Sequence, residues 1–198
     1  MDDEEEAPVS GRLEQQQALQ DEAAAVLADL ELLPLLQQVG RPVQVGSVAL
    51  GLMVARDIDL TVLCSGLETA PIFNILAPLA GHPRIRELRF RDDTGQWNVD
   101  PNYPDGLYWG PRYRSEAGID WNLDIWFIHE GSRQFDLEHL ESLPARLTPE
   151  TREAILVIKE SCLGRPWYSS YGIYSAVLDH GVRTHQEYRA YVEGAISA

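Results

Sequence analysis

The 198-residue chain has only two cysteines, 16 basic residues against 31 acidic ones, and no apolar run long enough to span a bilayer. Each scarcity closes off a class of function. Cys64 and Cys162 are too few and too far apart for a disulfide framework or a thiolate metal site, and Cys64, set in an apolar stretch, reads as a small buried hydrophobe. Both fit a reducing compartment. A membrane helix needs about 20 consecutive apolar residues, and none is present. The opening Met1-Asp2-Asp3-Glu4-Glu5-Glu6 is the reverse of a signal peptide, which begins basic and turns apolar, so the expected location is the cytoplasm. The formal net charge of -15 falls only to about -10 when the five acids of that hexapeptide are set aside. Such a field disfavours long nucleic acid unless a basic groove is concentrated locally, and it suits small or cationic partners.

What is present is ordinary globular material, 44% hydrophobic and 24% charged. The pattern divides it into an acidic tail over 1-9, an α/β core over 10-145 and a C-terminal helical segment over 146-198. A helix is expected from Ser10, with Leu19, Ala23, Val26, Leu27, Leu30 and Leu33 at helical spacing and Pro34 ending it. A short strand at Val43 to Val45, a helical turn from Val48 to Met53 and a strand from Asp57 to Leu63 follow. Next come a helix over 68-80, interrupted or begun at Pro71, and a strand over 84-91 carrying four arginines. Two short strands are expected at Gln96 to Val99 and Leu107 to Tyr113, and a longer one from Ile119 to Ile128. Thr148-Pro149-Glu150 is a helix start with a capping hydroxyl, and the last helices fill 170-195 with a kink near Gly181.

Chemistry concentrates in one place. Gly46-Ser47 is followed, after nine residues, by Asp57-Ile58-Asp59-Leu60. Strand side chains alternate, so Asp57 and Asp59 share a face and can share divalent metals, while backbone N-H groups at a helix start after Gly46-Ser47 can hold phosphate oxygens. In the strand ending at Ile128, Asp120, Asn122, Asp124 and Trp126 lie on one face, and a carboxylate in so apolar a segment needs a reason.

This pattern resembles the signature of the nucleotidyltransferase superfamily, which includes DNA polymerase beta, polyadenylating enzymes and antibiotic adenylyltransferases. Val45-Gly46-Ser47 and Asp57-Ile58-Asp59-Leu60 carry the match, and Gly51 stands where many members have a further glycine. The resemblance implies an α+β fold, a nucleotidyltransferase-like mixed β-sheet flanked by helices and followed by C-terminal helices. It implies an NTP donor, ATP being the expected one, and two Mg2+ ions held by Asp57, Asp59 and Asp124. Asp124 would also draw the proton from the acceptor, and Gly46 and Ser47 would grip the triphosphate. Arg56 could face phosphate or solvent. Asp120 competes with Asp124 as the third carboxylate, and Asp124 could instead pair with Arg89 or Arg91. Such transfer asks a protein mainly for positioning and charge neutralisation, and clustered carboxylates raise one another's pKa without the ions. The expected reaction is transfer of a nucleoside monophosphate to a small-molecule acceptor, a cationic antibiotic being one class. A toxin or regulator modifying a protein or transfer RNA, and an inactive nucleotide-binding domain, are the alternatives. The aromatic residues from Trp97 to Tyr113 serve either as core or as pocket lining.

Overall fold

Alternation in two strands sets the architecture. In β2 (Asp57-Cys64) Ile58 and Leu60 are fully buried while Asp57 and Asp59 stay half-buried, and β5 (Asp120-His129) repeats the pattern with Trp121, Leu123 and Ile125 buried and Asp124 half-buried. The apolar faces of these strands merge into one core, and the carboxylates are left on the opposite face. The computed structural model describes residues 9-165 and 169-196. With β1 (Arg41-Gln44), β3 (Ile85-Asp93) and β4 (Gly106-Arg114), the two strands form a five-stranded sheet in the order β1-β2-β5-β4-β3. Only β2 and β5 run parallel; every other neighbouring pair is antiparallel. A mixed sheet flanked by helices is the expected fold class.

The helices are α1 (Val9-Asp29), α2 (Leu32-Leu36), α3 (Gly46-Leu50), α4 (Thr69-Leu76), α5 (Phe135-Ser142), α6 (Pro149-Cys162), α7 (Ser170-His180) and α8 (His185-Ile196). Side chains of α1, α2 and α4 pack with Ile58, Leu60, Trp121 and Phe127 in the main core. A second cluster joins Leu50 and Leu52, at the end of α3, to α6, α7 and α8. Two ties hold α6 to the rest. The Arg12 guanidinium on α1 reaches Glu153 at 3.1 Å and Glu160 at 3.0 Å. Arg152 donates to the backbone oxygens of Leu50 at 2.6 Å and Gly51 at 3.2 Å, satisfying carbonyls at the end of α3 that no helical N-H can reach. None of the described helices is long and apolar enough to cross a membrane.

Several local expectations are corrected. The first helix does not run to Pro34: it breaks at Glu31, whose φ of 45° is left-handed, and Pro34 sits inside α2. As the third helical residue it forfeits no bond, because first-turn N-H groups have no partner within the helix. Gln96 to Val99 forms no strand; Gly95-Trp97 is a 3-10 turn in the loop before β4. Sequence periodicity also did not bring out α5. Of the expected acidic tail, residues 1-8 lie outside the described residues, and Val9 already opens α1.

Ile58 is fully buried between two carboxylates. Ile58→Ala is expected to cost about 2-5 kcal/mol, read as a lower urea midpoint with an unchanged m-value.

Candidate active site

Parallel pairing places Asp59 of β2 directly beside Asp124 of β5, with Asp57 beside Asn122. Asp57, Asp59 and Asp124 each present a carboxylate oxygen, and these lie within 4.8 Å of one another. The turn into α3 closes over them. Gly46 has φ 63°, and a Cβ there would collide with the Asp59 carboxylate, so both backbone conformation and space demand glycine. The Val45 N-H donates to the Asp59 backbone oxygen at 3.0 Å, which fixes the turn against β2.

A cavity of about 360 Å³ opens above this cluster, walled by Gly46, Ser47, Asp136, His139, Tyr171 and Tyr174 as well as Asp57 and Asp59. Lys159, the only lysine in the sequence, lines it and is almost wholly buried. Its Nζ donates to the Ser47 hydroxyl and, at 2.8 Å, to the Leu52 backbone oxygen, and lies 5.7 Å from the Tyr174 ring centroid.

Burial dominates the electrostatics. It pushes Asp59 up to about 8, and the charges of Asp57, Asp124 and Asp136 act in the same direction while Lys159 opposes them. Asp57 rises to about 6, first through burial and then through Asp124, again against Lys159. Burial lowers Lys159 to about 8, although Asp59 and Asp57 favour its charged form. One ammonium does not balance three carboxylates. The Asp57 Oδ1 is moreover buried with no hydrogen-bond partner. Converging carboxylate oxygens, one of them orphaned, are the donor set that hard divalent cations take, so the residues fit a magnesium-type ion.

Asp120, the rival third carboxylate, is elsewhere engaged. It accepts from Arg114 at 2.6 and 2.9 Å, its pKa held below the usual carboxylate range chiefly by that bond. Asp124 does not pair with arginine: Arg89 turns to Glu87 at 2.6 Å and Arg91 to Asp93 at 2.8 Å, while the Tyr108 hydroxyl donates to Asp124 Oδ1. Arg56 binds Glu22 on α1 at 3.0 Å, 5.9 Å from the Trp121 ring centroid, and does not line the cavity. Sequence reasoning missed Lys159, Asp136, His139, Tyr171 and Tyr174. For Lys159 a signal existed: it lies four residues after Ile155 and three before Cys162, on the buried stripe of α6, where an unpaired lysine is out of place.

Neither a protein-family model nor a curated protein sequence matches the chain. Solved structures do. The Cid1 poly(U) polymerase bound to MgATP superposes with a TM-score of 0.61 at 18% identity, over 86% of this chain and 54% of that one. The chain has the nucleotidyltransferase fold. A cytoplasmic RNA terminal U-transferase matches with a TM-score of 0.56 at 16% identity, over 86% and 51% of the two chains. A c-di-GMP synthase, CdnE from Capnocytophaga granulosa, gives 0.51 at 13% identity, over 82% and 60%. The chain thus spans about half the length of the two uridine-adding enzymes.

In the metal-free protein the folded state holds the Asp57 and Asp59 protons more tightly than the unfolded chain does. Their contribution to stability is present below about pH 4 and lost as pH rises through about 6 for Asp57 and about 8 for Asp59. Asp59→Asn removes the Asp59 part, so its melting temperature in EDTA should gain on that of the wild type as pH rises from about 5 to 8.5. Saturating Mn2+ should stabilise the wild type most at the alkaline end. A difference that stays flat with pH would contradict this account.

Proposed function

We propose that the chain is a divalent-metal-dependent nucleotidyltransferase that moves a nucleoside monophosphate from an NTP, ATP being the expected donor, to a small-molecule acceptor. The carrying observation is the convergence of Asp57, Asp59 and Asp124 within 4.8 Å on this fold, under the Gly46-Ser47 turn. Asp57, Asp59 and Asp124 would hold magnesium. When bound, such ions neutralise the triphosphate and the developing charge on the attacking and leaving oxygens.

The chain's own groups have distinct tasks. Gly46 keeps the wall of the cavity thin above Asp59, and the Ser47 hydroxyl and Lys159 ammonium offer phosphate a donor and a positive charge from that wall. Tyr171, stacked on His139 with centroids 4.9 Å apart and planes at 17°, presents a ring to a nucleobase at the cavity rim. Asp124 has one oxygen held by Tyr108, which orients the carboxylate so that the other oxygen can take a proton from the acceptor. A small acceptor is supported by the state of the arginines. Along β3 and β4, Arg86, Arg89, Arg91, Arg112 and Arg114 each face an acid within 4.0 Å, so they build no net-positive track for a polynucleotide on a molecule of charge -15.

Incubation with each NTP, Mg2+ and a pool of small alcohols and amines should release pyrophosphate and add a nucleotidyl mass to an acceptor. Asp57→Ala and Asp59→Ala should each reduce turnover by at least about 100-fold while the protein stays folded. Lys159→Met should act mainly on the KM for NTP. Unchanged turnover in either aspartate variant would sink the assignment, and preferential extension of a short RNA in the same assay would replace the small acceptor with a polynucleotide.

A further inference from the structure

A second cavity, of about 580 Å³, adjoins the first and shares Asp136 with it. Its walls combine aromatic rings with carboxylates: Trp97, Tyr103 and Trp126 beside Asp93, Asp100 and Asp136. Trp126 stands two residues beyond Asp124 on β5, hence on the same face of the sheet, so whatever lies against Trp126 lies next to the carboxylate cluster. Trp97 is 63% exposed and Tyr103 51%, and with Val99 they form a contiguous exposed apolar wall of the cavity. The loop presenting them is braced from within: Asp105 accepts from the Gly95 N-H and from Asn98, whose amide also reaches the Tyr103 backbone oxygen at 3.0 Å. Tyr103 meets the Phe135 ring edge-on at 5.9 Å.

The protein itself displays the chemistry this cavity accepts. The Arg91 guanidinium lies 5.3 Å from the Trp126 centroid and 5.2 Å from that of Tyr108, with its Nε on Asp93 at 2.8 Å. That is a cation on an aromatic face with a carboxylate at its edge. Three carboxylates against one arginine leave the cavity net negative, which repels phosphate and attracts a second cation.

We propose that this cavity is the acceptor site and that the acceptor is a small amino or guanidino alcohol with a flat or apolar face. Its cationic group sits among the aromatic rings, Asp93 and Asp100, and its hydroxyl points past Trp126 to Asp124. In the transfer the hydroxyl oxygen bonds to the α-phosphorus of the NTP, the bond to the bridging oxygen breaks and pyrophosphate leaves. The hydroxyl proton passes to Asp124. The transfer rests on the nucleotidyltransferase reading; the binding of the cation does not.

The test measures binding without nucleotide, by calorimetry, using three probes of one shape. These are 2-amino-1-phenylethanol, the neutral 1-phenylethane-1,2-diol and the anionic mandelate. The amine is expected to bind about tenfold more tightly than the diol, and mandelate not at all. Trp97→Ala and Asp100→Asn, both at exposed positions, should each weaken the amine about five- to tenfold. Arg91→Ala should tighten it severalfold, because the resident cation no longer competes for Trp126; a merely structural Arg91 would give the opposite sign. Equal binding of amine and diol, no saturable amine binding, or insensitivity to Trp97→Ala would each overturn the proposal. If the amine binds as described but no NTP yields pyrophosphate, the transferase reading fails and the cation site stands. If pyrophosphate is released with other acceptors while the amine does not bind, only the cation site fails.

Discussion

Mutual repulsion among Asp57, Asp59 and Asp124 is the strain around which this molecule is arranged. Carboxylates a few ångströms apart in a partly desolvated site repel by several kcal/mol even at an effective dielectric near 20, about 4 kcal/mol per pair at 4 Å. Left to side-chain freedom they would part. The backbone prevents it: Asp57 and Asp59 are fixed by β2, and Asp124 by the β5 register that runs parallel to β2 from Asp57 to Cys64. Ile58, Leu60, Leu123 and Ile125 between and beside them are locked in the core, so none of the three strand positions can rotate outward without exposing apolar surface. Burial first, and the remaining repulsion second, raise the proton affinity of Asp57 and Asp59, and it is that affinity that a divalent cation would replace.

Much of this was legible in the residues. Period-two alternation placed Asp57 and Asp59 on one face, and Asp124 on the polar face of an apolar strand. The Gly46-Ser47 turn was marked as a phosphate grip, whereas the reason Gly46 must be glycine, its closeness to the Asp59 carboxylate, came only from the fold. What alternation could not give was the partner of each strand: choosing between Asp120 and Asp124 required knowing that β4 brings Arg114 opposite Asp120. The same limit hid the ring of helical residues around the cavity. Asp136 and His139 lie on α5, whose short, mixed sequence has almost no apolar face, so no periodicity marked it as a helix. The Gln96 to Val99 strand failed for the converse reason: Trp97 and Val99 look like strand material, but they stand in solvent beside a cavity. Large apolar residues are read as core by default, and that default misleads where such residues stand exposed.

The two faces of the arginine-bearing strand pair give the site its sidedness. Ion pairs along β3 and β4 are mostly exposed and contribute little to stability individually. Their effect is on the field: each consumes a positive charge that could have served phosphate. The buried cation of Lys159 sits instead on the far wall, beyond Ser47. Among the described lysine and arginine residues, Lys159 is the one that lines the first cavity, where it offsets only part of the charge of Asp57, Asp59 and Asp136.

Lys159 also ties the site to the order in which the chain is made. The three aspartates, the Gly46 turn and all five strands precede residue 130, whereas the ammonium that counters Asp57 and Asp59 arrives only with α6. A nascent chain halted after β5 could pair its strands, yet it would face their shared charge with neither that cation nor the Arg152 guanidinium that closes the end of α3. The pocket is therefore incomplete until the helical half has docked, because its closing contacts join the first 130 residues to α6.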